Sequence, residues 1–263
     1  MLKKISIKEN VVACWVNPEQ SGKHEQSLVF IHGSGGNSST WTFQYANLYN
    51  DYDVVAIDLP GHGRSGGQGE KDIADYVWRL REILDVLKVD HPILIGHSLG
   101  AAISLCFAAK YPREASGVVA VGGGITMPVT PDILDGFRKE PQLILDLMCK
   151  FSLARANRPA LYESLRTSLG QASLDVVAND MLACSRFDLT GEVSKILVPV
   201  LAVCGTEDKM MPPASSKQIA DRIPGAKLVL IEGAGHMVML EKPADFNEVM
   251  KDFASTVRQT AAK

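Results

Sequence analysis

The sequence predicts an α/β fold: a mostly parallel, doubly wound sheet with a helical lid inserted into it. Three observations carry that expectation. Short, continuous apolar runs of strand length, bounded by glycine and polar residues, recur along the 263 residues. Apolarity without alternation means burial on both faces, as in a parallel sheet covered by helices. Helical patterns lie between those runs, and strands alternating with helices wind right-handed into such a sheet. One stretch, 126–190, breaks the alternation.

Along the chain, Ile5 and Ile7, then Val11, Val12 and Trp15, read as a β-hairpin at a sheet edge. The continuous apolar runs follow: Ser27–Ile31, Asp53–Ile57, Pro92–Ile95, Gly117–Val121, Val200–Val203 and Lys227–Ile231. Ile73, Val77, Leu80, Leu84 and Leu87 recur at three and four residues, one face of a helix from about 70 to 88. Leu99–Lys110 is small and apolar all round, as a buried helix should be, and Pro112 stops it. Pro243–Val257 closes the chain with another amphipathic pattern.

Within 126–190 there is no strand-like run. Helical patterns lie around Ile133–Phe137, Leu143–Leu153, Leu161–Leu169 and Leu174–Cys184, punctuated by Pro131, Pro141, Pro159 and Gly170. About 65 residues far exceed what a βαβ crossover needs, so this segment reads as a lid. The expected organisation is a core of residues 1–125 and 191–263 carrying a lid at 126–190.

Composition excludes several classes. Hydrophobic residues make up 46% and charged residues 22%, which rules out disorder, collagen and coiled coil. The formal charge of −3 gives no general attraction to nucleic acid or anionic lipid, so neither is expected as a partner. Cys14, Cys106, Cys149, Cys184 and Cys204 are scattered, odd in number and free of any CxxC pair. They read as buried small hydrophobes in a reducing compartment, not as a disulfide scaffold or a zinc site. Lys8, Glu9 and Asn10 interrupt any apolar leader core after Lys3 and Lys4, so the expected location is the cytoplasm.

The chemistry begins at Gly96-His97-Ser98-Leu99-Gly100, which follows one strand and opens a helix. G-x-S-x-G in that context is a strained turn that projects the serine hydroxyl at the carboxyl end of the sheet. Glycines two before and two after keep side chains out of the way where strand and helix nearly collide. A serine hydroxyl is a poor nucleophile at neutral pH, so a base is required. Of six histidines, His24 and His91 sit in polar connections, and His32 and His62 in glycine-rich loops that could line or brace a site. His97 lies inside the elbow and is expected to point its ring away from the serine. His236, in Gly233-Ala234-Gly235-His236 after the last strand, is placed where a base could reach Ser98. The base needs an acid to fix its tautomer; Asp208, in Gly205-Thr206-Glu207-Asp208, is the candidate and Glu207 its neighbour and rival. An oxyanion hole would come from His32-Gly33-Ser34-Gly35-Gly36, through the N–H of Ser34 or its neighbour, together with the N–H of Leu99. No Lys-Ser/Thr follows that glycine loop and its spacing is not G-x-G-x-x-G, so neither a P-loop nor a dinucleotide fingerprint is supported.

With these motifs together the chain resembles the α/β-hydrolase fold superfamily, its lid-bearing, carboxylesterase-like serine hydrolases. The resemblance rests on HGSGG at 32–36, DLPGHGRS at 58–65, GHSLG at 96–100, GTEDKMMP at 205–212 and GAGHMVMLEKP at 233–243. It covers nearly the whole chain outside the lid. It implies Asp208, not Glu207, as the acid, and it implies that Asp58, His62 and Arg64 brace a loop. Haloalkane dehalogenases and epoxide hydrolases of this superfamily carry aspartate at the elbow; Ser98 disfavours both. What remains is acyl transfer to water: esters, thioesters, methyl esters on a carrier, or carbon–carbon cleavage of activated diketones. Some members keep the triad and serve as ligand receptors with little turnover. No metal and no organic cofactor is implied.

The lid offers inward candidates in Met127, Phe137, Leu143, Leu147, Met148, Phe151, Leu165 and Met181, while Met211, Met237 and Met239 flank the acid and base loops. Methionine suits adaptable apolar pockets. Gly33, Met127, Met148, Met181 and Met237 are the candidate substrate-binding residues. Segment 126–190 carries seven basic and eight acidic residues, no overall bias, which favours a neutral or apolar acyl group. Lys150, Arg155 and Arg158 form a small basic spot that could dock an acidic carrier. The expected partner is therefore a small-molecule ester of a small to medium, largely apolar acid.

Overall fold

The structure, a computed structural model, describes residues 1–7, 10–17 and 24–261. In chain order the elements begin β1 (Leu2–Ile7), β2 (Asn10–Val16), β3 (Ser27–Ile31), α1 (Thr42–Leu48), β4 (Asp53–Ile57), α2 (Ile73–Leu87), β5 (Ile93–His97), α3 (Leu99–Lys110) and β6 (Gly117–Val121). Four helices follow without a strand: α4 (Pro131–Lys139), α5 (Pro141–Ser152), α6 (Arg158–Leu169) and α7 (Leu174–Arg186). The chain ends with β7 (Val200–Gly205), α8 (Pro213–Arg222), β8 (Lys227–Ile231), α9 (Val238–Glu241) and α10 (Pro243–Ala261).

The strands form one eight-stranded sheet in the order β1-β2-β4-β3-β5-β6-β7-β8. β1 and β2 pair antiparallel at one edge, and β2 joins β4 antiparallel; every later pairing is parallel. The expected hairpin is thus at the edge, and its connecting residues 8 and 9 lie outside the described residues.

The period-two geometry of a strand divides the core in two. Val29, Ile31, Val55, Ile57, Leu94, Val118, Ala120, Val200 and Ala202 pack with α2, α3 and Ile219 of α8. Their neighbours Leu28, Phe30, Val54, Ala56, Ile95, Val119, Val121, Leu201 and Val203 pack with Leu48 of α1 and with Phe246, Met250, Phe253 and Val257 of α10. Helices therefore cover both faces, which is why the central strands read as unbroken apolar runs. β8 departs from the expectation of two-sided burial: it is the far edge strand, and Leu230 is exposed. α1 and α8 give weak sequence signals because each buries only two residues, Gln44 and Leu48 in one, Ser216 and Ile219 in the other.

The ends of the inserted helical segment meet at an antiparallel bridge, Thr126 to Asp188, beside a Leu189 N–H bond to the Ile125 carbonyl. Two residues expected to face inward do not. Leu143 and Phe151 are 49% and 40% exposed, because α5 turns Leu145, Met148, Cys149 and Ser152 inward instead. Among the described residues no helix is long and apolar enough to cross a membrane.

Candidate active site

Ser98 sits between the last residue of β5 and the first of α3, with φ 53° and ψ −113°. Positive φ is strained for a residue with a Cβ, and such strain persists only where the surroundings enforce it. Here they do. The Ser98 N–H is bonded to the Val121 carbonyl at 2.9 Å, and α3 begins at once. A Cβ on Gly96 would lie 2.0 Å from the Gly100 oxygen, and one on Gly100 would lie 2.3 Å from the Ile31 oxygen. Glycine at both positions is therefore a packing requirement of the elbow.

β7 ends in the loop that carries Asp208, the candidate acid. The Oδ1 of Asp208 accepts the N–H groups of Met210 and Met211, both at 2.9 Å. That leaves Oδ2 to accept Nδ1–H of His236 at 2.7 Å. Glu207, the rival, is exposed and offers its N–H to the Ala234 carbonyl. Gly122, at the end of β6 with φ +55°, makes room for the pair: a Cβ there would meet Nδ1 of His236 at 2.8 Å. With Nδ1 committed to Asp208, Nε2 is the ring nitrogen left for chemistry.

The inserted helices hold the loop of His236. The carbonyl of Ser152, at the end of α5, accepts the N–H of His236 at 2.8 Å. Glu241 accepts the N–H groups of Gly235 and Ala154 and the side-chain amide of Asn157. The His97 ring stands 4.5 Å from that of His236, and Nε2–H donates to the His236 carbonyl at 3.1 Å. Burial, with the neighbouring His236 ring, pushes His97 well below the usual imidazole range, so it is a neutral strut.

Ser98 and His236 border one cavity of roughly 40 Å³. Gly33, Ser34, Met148, Met181 and Met237, all expected at the site, line it as well. Met127 does not; it is packed in the core with the α2–α3 layer. Met210, Thr40, Leu169 and His97 line the cavity without having been singled out as binding residues. Among the described residues Ser98 Oγ makes no hydrogen bond. Nucleophile–base contacts are often loose before substrate arrives.

The loop after β3 lies against the elbow: a Cβ on Gly33 would stand 3.1 Å from that of Ser98. Of its amides, Gly36 N–H closes a turn onto the Gly33 carbonyl and Gly35 N–H is held by Asp180 at 3.2 Å. The Ser34 and Leu99 N–H groups have no acceptor among the described residues, which leaves them available to an anion.

The bracing residues are arranged around two carboxylates. Asp58 accepts the N–H groups of Ser38 and Arg64, at 2.6 and 2.9 Å; the Arg64 side chain is exposed. Asp180, which sequence reasoning missed, is 0% exposed on α7. It accepts from Ser34 Oγ at 2.9 Å, His62 Nε2 at 2.9 Å and Tyr76 Oη at 2.6 Å, besides Gly35 N–H. The other His62 nitrogen faces the Pro60 carbonyl at 3.0 Å. Both ring nitrogens thus face acceptors, an arrangement that favours the doubly protonated ring. Burial alone would lower His62, but the Asp180 charge and the bonds to Asp180 and Pro60 outweigh it and raise the group. His32 is driven the other way, to about 4, by burial and by the His62 charge. It donates Nδ1–H to the Gly33 carbonyl and accepts the Leu59 N–H at Nε2. Asp180 did leave one trace in the sequence: it stands among Val176, Val177, Met181 and Cys184, on the apolar face of its helix.

The cysteines do not pair among the described residues. Burial raises all five thiols, Cys14 and Cys204 to about 12 and Cys106 and Cys149 to about 11, so they pack as neutral side chains.

Known proteins with this architecture are numerous. A thermophilic esterase of known structure is 33% identical, with TM-score 0.84, over 98% of this chain and 99% of its own. The enol-lactonase of Burkholderia xenovorans LB400 superposes with TM-score 0.89 at 21% identity, covering 96% of this chain and all of the lactonase. A 2-hydroxy-6-oxononadienedioate/2-hydroxy-6-oxononatrienedioate hydrolase from Paraburkholderia phymatum is 25% identical over 95% of this chain and 94% of its own length. The family model described as "Alpha/beta hydrolase family" matches residues 28–249. The chain belongs to the alpha/beta hydrolase family.

Proposed function

We propose that this hydrolase cleaves neutral carboxylic esters of short to medium apolar acids through an acyl-enzyme on Ser98. The observation that carries the reading is the 2.7 Å bond from His236 Nδ1 to Asp208, in a histidine that borders the same cavity as a strained serine. Asp208 fixes the His236 tautomer, so Nε2 is the basic nitrogen. Nε2 takes the Ser98 proton as Oγ attacks the ester carbonyl. The Ser34 and Leu99 N–H groups receive the negative charge that forms on the carbonyl oxygen. His236 then protonates the leaving alcohol, and water reverses the sequence to free the acid. The steps call on no metal or organic cofactor.

The cavity supports the substrate class. Met148, Met181, Met210, Met237 and Leu169 give it an apolar wall, and among the described residues neither lysine nor arginine lines it. A dicarboxylate of the kind the Paraburkholderia phymatum relative is named for would find no cationic partner there. About 40 Å³ is far below the roughly 300–1,000 Å³ of pockets that hold drug-sized ligands. Residues 126–190 therefore act as a lid that must shift for an acyl chain to enter. The Ser98, His236 and Asp208 set with its apolar wall favours ester hydrolysis, and the free, scattered cysteines suit a reducing, cytoplasmic setting.

A panel of nitrophenyl esters from acetate to decanoate, with the matching acyl thioesters and one vinylogous diketone, tests the reading. The expected result is highest kcat/KM on esters at the short end of the series. Turnover of the diketone above every ester, or tight binding of esters without turnover, contradicts it.

A further inference from the structure

Asp180 is a charged side chain at 0% exposure that takes no part in the chemistry above. Burying a carboxylate is costly unless every lone pair is met. Its two oxygens meet four donors from three separate segments of the core. Oδ2 accepts from Ser34 Oγ and Gly35 N–H in the loop after β3, and from His62 in the loop after β4. Oδ1 accepts from Tyr76 on α2. Asp180 itself is carried by α7, the last helix of the inserted segment, whose next residue, Met181, lines the cavity.

The consequence lies in which amide is occupied. Gly35 N–H is turned onto Asp180, and the Ser34 side chain is turned onto it too. Both flanks of the Ser34–Gly35 peptide are thereby fixed from outside the loop. The Gly35 N–H is removed from the pool of anion donors, and the Ser34 N–H is left without an acceptor among the described residues. Gly33, Gly35 and Gly36 have no side chains to enforce such a choice.

We propose that Asp180 is a positioning residue that sets the oxyanion loop through Ser34 and Gly35, and does so only while α7 is seated on the core. This rests on the ester-hydrolase reading for its kinetic meaning. Lid closure and completion of the oxyanion hole are then one event: the helix that closes over the acyl group also aims the donor at the reacting oxygen. An interaction made only in the closed state serves the transition state more than the free substrate.

The test compares two variants that each delete one bond to Asp180. Ser34→Ala removes the hydroxyl on the oxyanion loop, and Tyr76→Phe removes the hydroxyl on α2. On a nitrophenyl ester, Ser34→Ala lowers kcat about tenfold with KM within about twofold, while Tyr76→Phe leaves kcat within about twofold. Asp180→Ala lowers kcat by about ten- to a hundredfold, again with little change in KM, in protein still folded by circular dichroism at the assay temperature. Hydrogen-exchange mass spectrometry of Asp180→Ala shows faster exchange in residues 32–37 and in 174–186 together. Equal kcat losses in Ser34→Ala and Tyr76→Phe mark a merely structural carboxylate and overturn the proposal. So does wild-type kcat in Asp180→Ala, or faster exchange in 174–186 with 32–37 unchanged. If Asp180→Ala does not fold, the Ser34→Ala and Tyr76→Phe pair decides. If the wild-type chain hydrolyses no ester, the ester reading falls, and exchange of 32–37 in Asp180→Asn still decides the coupling.

Discussion

Asp208 and His236, 28 residues apart in sequence, share a 2.7 Å hydrogen bond in which both side chains are almost wholly buried. Each partner is fixed before they meet: Asp208 by two amides of its own loop, His236 by the Ser152 carbonyl behind it. The geometry leaves the imidazole one tautomer. Asp208→Asn keeps the shape but would stabilise the wrong one, so kcat on nitrophenyl esters falls about 10⁴-fold, with KM little changed. Steady-state kinetics on the variant check this; a loss under tenfold would mean that Asp208 does not serve His236.

Gly122 is the space that admits the pair. Alanine there must adopt φ +55° and place its Cβ 2.8 Å from His236 Nδ1. Gly122→Ala is expected to lose about 1–2 kcal/mol of stability to backbone strain. It also loses kcat well beyond what that destabilisation explains. Denaturant unfolding together with kcat measured far below the midpoint separates the two effects.

If the protein is the proposed ester hydrolase, the walls of the cavity limit the acyl chain. Met148→Ala removes part of its wall and is expected to destabilise the protein by about 2–5 kcal/mol. The same deletion moves the best substrate in the ester series toward longer acyl chains. An unchanged optimum would show that Met148 only packs α5 against its neighbours.

The His62–Asp180 pair makes stability depend on pH in a defined direction. His62 is raised in the folded state, so its contribution is complete below its unfolded value, about 6.5, and disappears as pH climbs through the raised value. Burial would raise Asp180, but His62, Tyr76 and Ser34 outweigh it and lower the group. Its contribution is complete above about 3.9 and disappears as pH falls through the lowered value. His32, Tyr76, Asp58, Glu70 and Cys184 are the other titratable groups near the pair. Of these, His32 is neutral above about 4, while burial and Asp180 raise Tyr76 and Cys184, so none of these three takes on charge in the alkaline window where His62 loses its proton. The melting temperature should hold between these limits and decline on the alkaline side. In Asp180→Asn the alkaline decline starts at lower pH, because the carboxylate that holds the His62 proton is gone. Thermal melts across pH on both proteins check it, and superimposable alkaline limbs would contradict it.

Much of this was legible in the sequence for a physical reason. A strand covered on both faces needs apolar residues at every position, so Asp53–Ile57 and Gly117–Val121 show as runs. The elbow shows because two backbones approach too closely for any Cβ, leaving Gly96 and Gly100 as the trace. α8 and α1 were missed because a surface helix that buries two residues has little period to display. Leu143 and Phe151 were assigned inward because three- and four-residue spacing identifies a face without saying which way it turns. The Asp180 cluster joins residues 104 to 146 positions apart, and no local pattern encodes such partners.

The central claim is that Ser98 carries the acyl group between two half-reactions. Wild-type protein is mixed with a nitrophenyl ester, quenched within one turnover, digested and weighed by mass spectrometry, beside Ser98→Ala treated alike. The account predicts that the peptide containing Ser98 gains the mass of the acyl group, and that Ser98→Ala shows neither the adduct nor release of nitrophenol above background. Undiminished nitrophenol release from Ser98→Ala, or an adduct on another residue, would contradict it.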